Sequence, residues 1–454
     1  MATNPPTCRA MMGRCSLPPA PPAAARPVAD VRFPVGDAPR SGSGPAMCFL
    51  LVLLIIAGAC SGAAPRPSAT ATTQTIVPGS TSAPAPAVKT IAGMPSVVDP
   101  ANIYSEARAG ALSAAARAAL PRVYVPNRQT DNVTVIDPST MRVIAVVHTG
   151  SNPQHVVPSY DMSRLWVVNN SESNPSRGSL TPIDPRTGAF GPSVVVDDPY
   201  NMYFTPDGAY AIVVAEARHR LDFRDPTTME LRFSIPTPTC LGINHMDFSE
   251  DGSYLIATCE NVHRLVKVAW AQHTVVSTLD LGADALPQDV RLAPGGHTFY
   301  VADMLGNRLI MVDGATFTIT GTIDLAASGG YGAHGLYPSR DARYLYVANR
   351  GSAARGTAPP HGRGSVSVVE FSTGKVIANW PVPGGGSPDM GGVSADGTQL
   401  WLSGRYDNEV YVFDTTSGQL AARIPVHPLG IEPHGLLVWP QPGRYSLGHT
   451  GNMR

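Results

Sequence analysis

Seven times, at nearly constant intervals, this chain opens an apolar run with a polar residue: His155, Asn201, His245, Asp289, His334, Asp389 and His434. Successive spacings are 46, 44, 44, 45, 55 and 45 residues. A period of about 45 is that of one four-stranded propeller blade. If each polar position opens the innermost strand of its blade, seven side chains meet around one axial channel. The spacing therefore predicts an all-β, seven-bladed β-propeller.

Each unit supports this reading. Asn201-Met202-Tyr203-Phe204 leads into Thr205-Pro206-Asp207-Gly208, and Ala211-Ile212-Val213-Val214 follows. Gly and Asp tolerate the positive φ of a tight turn, so the two runs form an antiparallel hairpin. Third strands such as Val133-Thr134-Val135-Ile136-Asp137 and fourth strands such as Val143-Ile144-Ala145-Val146-Val147 complete the blade. The long interval from 334 to 389 holds a Gly/Pro/Arg-rich stretch, expected as a loop between the second and third strands. Residues 122–149 supply three strands without a first, and His434 to Trp439 is a first strand without a blade. N- and C-terminal strands should thus close one blade, leaving no open sheet edge. Arg444 to His449 finds no vacant slot and should lie across a channel mouth or along the seam.

The first hundred residues differ in kind. The apolar run Phe49 to Ala59 is too short to span a bilayer. It ends in Ala57-Gly58-Ala59-Cys60, which resembles a bacterial lipobox with Cys60 lipidated; a signal peptide cut at small residues is the alternative. Residues 1–60 are read as an N-terminal extension and signal or lipoprotein peptide, with the true start open between Met1 and Met47. Residues 61–100 read as a flexible tether, 101–121 as a short helical lead-in and 122–454 as the propeller. An exported protein follows, held at the outer face of the cell membrane or in the periplasm as a lipoprotein, or else secreted. In that compartment Cys240 and Cys259, placed on the same face of one blade, are disulfide candidates. Two free buried thiols are the other reading.

The second strands Val123-Tyr124-Val125-Pro126-Asn127 and Leu345-Tyr346-Val347-Ala348-Asn349 resemble the repeat of the YVTN β-propeller proteins. The segment from Trp439 to Asn452 is similar to the ending of exported bacterial members. The resemblance spans residues 122–439 and implies the fold. It implies no single function, because one such fold carries many.

Two regions are candidate sites. In the axial ring, His155, His245, Asp289, His334, Asp389 and His434 offer imidazole and carboxylate ligands suited to copper, iron or zinc. Against this stands a structural ring that hydrogen-bonds backbone and channel water, or a small-ligand site. Met202, Met246 and Met390 follow ring residues and should turn away into interblade packing. The loops after the second strands gather Arg128, His219, His263, Arg308, Arg350 and Arg405, an expected face for an envelope protein, peptide or glycan. The acids Asp131, Glu216, Glu260 and Asp303 among them keep a solvated rim open as the plain alternative. A formal net charge of −1 argues against nucleic acid as partner. No nucleophile motif, phosphate loop or haem attachment sequence occurs. The leading expectation is a monomeric envelope binding or scaffolding module, touching membrane only through its lipid. An exported metal-dependent oxidoreductase built on the ring is the second.

Overall fold

In three blades the second strand ends in an asparagine for a structural reason. Asn127, Asn169 and Asn349 are fully buried, and each amide donates to a third-strand hydroxyl: Thr134, Thr181 and Ser367, all at 2.9 Å. A buried amide needs such partners, so the motif ties two strands together. The first-to-second turn is equally local. Thr205 Oγ1 donates to Asp207 at 2.6 Å, and Asp207 accepts from Ala209 N at 3.0 Å. Ser249 and Asp251 repeat the arrangement.

These units build six four-stranded antiparallel sheets and one five-stranded sheet. The structure is a computed structural model that describes residues 87–351, 362–449 and 452–454, all in the unit Ser80–Arg454. It is a seven-bladed β-propeller. Blade one pairs Leu437–Trp439 with Arg122–Asn127, matching Arg122 to Trp439 and Tyr124 to Leu437. The following blades open with Pro153–Pro158, Pro199–Phe204, Ile243–Phe248, Pro287–Leu292, Ala333–Pro338 and Pro388–Val393. First and second strands are buried along almost their whole length, because blades pack on both their faces. Outer strands such as Thr274–Asp280 alternate between exposed and half-buried. The core is thus a set of interblade layers. One joins Tyr203, Ile212 and Phe223 of blade three to Met246, Phe248 and Leu255 of blade four.

Cys240 and Cys259 are joined in a disulfide beside this layer. Closing a separation of 19 residues is worth about 3 kcal/mol on chain-entropy grounds.

Two sequence expectations change at the N-terminal side. The lead-in is not one helix but a three-residue 3-10 turn, Ser105–Ala107, and a four-residue α turn, Ala114–Arg117. Residues 87–100, read as tether, lie along the propeller, where Ile91 N donates to Asp251 O at 3.0 Å. Ile91 and Val97 pack on blade-core clusters, an apolar gain that Ala/Pro/Ser composition conceals. Cys60, residues 1–86 and most of the long loop (352–361) lie outside the described residues.

Candidate functional site: the axial channel and its funnel

All seven ring residues are at most 2 % exposed. The tail adds an eighth. Residues 447–449 run along the innermost edge of blade three, with Phe204 N donating to Leu447 O at 3.0 Å and His449 N to Met202 O at 3.1 Å. Gly448 makes the approach possible: its φ is +85°, and a Cβ there would sit 2.5 Å from Tyr203 Cα. His449, fully buried, then enters the channel. Sequence reasoning missed it; the available signal was a Gly-His pair in a segment with no blade to join.

The ring divides into two sets. In one, ligand atoms of His245, Asp289 and His449 lie within 4.8 Å of one another. His155 borders them, with ring centroids 5.6 Å from His245 and 5.2 Å from His449. Its place is set by blade closure: Val156 N donates to Gly435 O at 3.1 Å, and a Cβ on Gly435 would strike His155 Nδ1 at 1.9 Å. Asn201 Nδ2 donates to His449 Nδ1 at 3.0 Å and lies 3.3 Å from His245 Nδ1. Asp289 accepts from Val290 N at 2.9 Å and from Leu336 N of the next blade at 3.0 Å. That is the backbone-tying role of a structural ring, yet it leaves carboxylate lone pairs over.

His155 is different. Neither of its nitrogens has a hydrogen-bond partner among the described residues, nor has Nε2 of His245. A neutral imidazole carries one donor and one acceptor in either tautomer, so His155 leaves both unsatisfied. Burial holds the His155 pKa down at about 3 and those of His245 and His449 well below the usual histidine range. The imidazoles are therefore neutral, which is the metal-ligating form.

The second set is internally satisfied. Asp389 takes Arg350 Nε and, at 2.7 Å, His434 Nδ1. Arg350 Nη2 donates to His334 Nε2 at 2.7 Å, and His334 Nδ1 lies 3.0 Å from Met390 Sδ. Met390 thus reaches a ring histidine across the blade boundary, whereas Met202 and Met246 stay in apolar clusters. Of the six ring residues proposed as metal ligands, the structure gathers His245 and Asp289 with His155 alongside. It commits His334, Asp389 and His434 to Arg350 and to one another.

Above this set the channel widens into a funnel of about 280 Å³, floored by His334 and His434 and walled partly by Tyr200. The rim residues separate accordingly. Arg128, Arg350 and Arg405 line the funnel. His219 and His263 occupy left-handed positions (φ 53° and 57°) in second-to-third-strand turns, where Asp131, Asn307 and Asn408 stand in other blades. Arg308 pairs with Asp303 at 2.8 Å. In the funnel wall, burial and the neighbouring Glu260, Asp198 and Glu172 push Glu216 up to about 8.

The far end of the channel is closed by charge. Asp247, fully buried, accepts from Phe248 N and Leu292 N at 2.8 Å, from Asn452 Nδ2 at 3.0 Å and from Arg454 Nη2 at 3.1 Å.

Known structures share this architecture. Hydrazine synthase of Kuenenia stuttgartiensis aligns at 19 % identity and TM-score 0.50, over 62 % of this chain and 89 % of that one. A dihydro-heme d1 dehydrogenase, NirN, aligns at 13 % identity and TM-score 0.51, over 70 % and 75 % of the two chains. A functionally unknown protein from Desulfotomaculum acetoxidans aligns at 16 % and 0.52, over 70 % and 98 %. At such identities the likeness is one of fold. No curated protein sequence matches the chain. The model of the YNCE-like beta-propeller family matches residues 77–442, and the chain belongs to that family.

Proposed function

We propose that this is an exported propeller whose axial channel holds one transition-metal ion, bound by His155, His245, His449 and Asp289, and serves metal-dependent chemistry on a small polar molecule entering by the funnel. The observation that carries this reading is His155, fully buried with both nitrogens unpartnered. Leaving a buried polar group unsatisfied costs about 1–3 kcal/mol, and a coordinated ion removes that cost. Three neutral imidazoles and a carboxylate suit zinc, copper or iron. Binding through Nε2 of His245 and His449 requires their protons on Nδ1, so the Asn201 amide would turn its oxygen toward them and give up the bond it accepts from Met202 N at 2.8 Å. The Cys240–Cys259 disulfide supports an oxidising compartment.

Elemental mass spectrometry on natively matured protein tests this beside His155→Ala and His245→Ala variants. Near-stoichiometric copper, iron or zinc should appear in the parent and be lost from both variants. Metal-free parent protein, or variants that fold and keep their metal, would refute the site.

A second reading, an envelope partner on the loop face, is favoured by Leu241, Leu305 and Leu429, which are 38 %, 43 % and 62 % exposed on the funnel side. A photoreactive residue at 429 should then cross-link one envelope component in intact cells. Its absence across repeated captures would leave the leucines as isolated surface residues.

A further inference from the structure

The four proposed ligands do not reach the funnel. His155, His245, Asp289 and His449 are fully buried, and none of them lines the funnel wall. Three aromatic rings of the funnel lie against them. His434 stands 5.0 Å from His155, centroid to centroid, and His334 stands 6.2 Å from His245. Tyr200 covers both histidines. It meets His155 at 5.6 Å and 74° and His245 at 5.9 Å and 71°, edge to face in each case. A molecule in the funnel is thus one aromatic layer away from the ligand set.

The three rings differ in what holds them. His434 Nδ1 is fixed by Asp389 at 2.7 Å, and His334 by Arg350 Nη2 at 2.7 Å and Met390 Sδ at 3.0 Å. The Tyr200 hydroxyl makes no hydrogen bond with the described residues, and the residue is half-buried. Its backbone accounts for its placement. Val214 pairs with Asn201 and Ala215 with Pro199, so Tyr200 is the extra residue of a β-bulge. Such bulges re-aim side chains. Blades two, four and five are irregular at the same point and put amides there, on Gln154, Asn244 and Gln288. All three are buried and tied down. Gln154 Nε2 donates to Asn152 Oδ1 at 2.7 Å, Asn244 Oδ1 accepts from Thr258 Oγ1 at 2.5 Å, and Gln288 Nε2 donates to Pro287 O at 3.2 Å. Blade three replaces a fixed amide with a ring held by aromatic contact.

We infer that Tyr200 is the gate of the channel: its ring closes the ligand set off from the funnel and swings aside to admit a small molecule or ion. This rests on the channel reading and names the residue that sets access to it. Edge-to-face contacts are individually weak. The ring can therefore leave and return by side-chain rotation while its strand stays paired. The funnel, about 280 Å³, is large enough to receive it.

Diethyl pyrocarbonate, which acylates neutral imidazole nitrogen, tests the gate. It is applied to the full chain stripped of metal with a chelator, and peptide mapping assigns each histidine. His155 is neutral and unpartnered, so it reacts once reached. His434 lines the funnel and is the internal reference. In the parent, His155 should react far more slowly than His434. Tyr200→Ala should raise the His155 rate about tenfold or more, the scale of two lost edge contacts, while the His434 rate holds. Tyr200→Phe keeps the ring and should behave as the parent does. Tyr200→Leu provides a second open variant if the alanine variant folds poorly. A His155 rate in the parent that matches His434, or one that the open variants leave unchanged, overturns the proposal. Metal content of the unstripped samples separates the two ideas. Metal-free parent protein with a Tyr200-dependent His155 rate upholds the gate and defeats the ion. Loaded parent protein whose His155 rate ignores Tyr200 defeats the gate alone.

Discussion

Gly448→Val should unseat the tail and empty the channel of His449. At φ +85° a β-branched residue is a strong outlier, and its Cβ would meet Tyr203 Cα at 2.5 Å. The position of Cβ is fixed by the backbone and its partner atom is itself backbone, so no rotamer change relieves the contact. The tail would surrender its hydrogen bonds to Phe204, Met202 and Tyr160 and its two links to Asp247. The expected loss is roughly 2–4 kcal/mol, the scale of a forced backbone strain with broken buried partners. If the channel holds the proposed ion, metal retention should fall with it, because His449 leaves the proposed ligand set together with the wall that excludes water. Thermal unfolding and elemental analysis of the variant read the two effects separately. An unchanged melting temperature would mean that the tail contributes no stability; full metal in a destabilised variant would remove His449 from the ligand set.

Asp247→Ala should cost still more. Its carboxylate is the buried acceptor for Arg454, Asn452 and two strand amides. Arg291, 1 % exposed, packs into the same end of the channel and has Asp289 as an ion-pair partner at 3.6 Å. Removing one member of such a set leaves positive charge buried without compensation, typically about 3–5 kcal/mol. For a domain of this size that corresponds to a fall in Tm of roughly 4–7 °C. The tail should also loosen, so the effects of Asp247→Ala and Gly448→Val should fall well short of additive in the double variant. Full additivity would show that Asp247 acts within its own blade and does not hold the tail.

The repeat was legible because a propeller imposes it chemically. Each blade needs an Asp or Gly turn, a second strand apolar on both faces and a polar residue where its inner strand meets the channel. The seven ring residues and the pairing of Leu437–Trp439 with Arg122–Asn127 follow from that pattern. The rim was legible only as composition. Arg128, His219, His263, Arg308, Arg350 and Arg405 look alike in sequence. Three of them line the funnel, two sit in left-handed turns and one is held by a neighbouring carboxylate. Residues 87–100 were misjudged because a few apolar side chains such as Ile91 and Val97 suffice to dock a segment that composition marks as tether.

What the sequence determined by itself is periodic: blade number, strand order, closure and which residues face the axis. A strand period of two and a blade period near 45 leave little choice once the turns are written in. What tertiary structure alone decided is which of those axial residues remain unsatisfied. His334 and Asp389 are consumed by Arg350, a residue from the loop layer above, and His434 by Asp389. His155 and His245 keep unpartnered nitrogens, while His449 joins them from a tail that belongs to no repeat. Hydrogen-bond satisfaction depends on atoms brought together from distant parts of the chain. No local pattern carries that information, and so the chemistry of the channel appears only when the ring is closed.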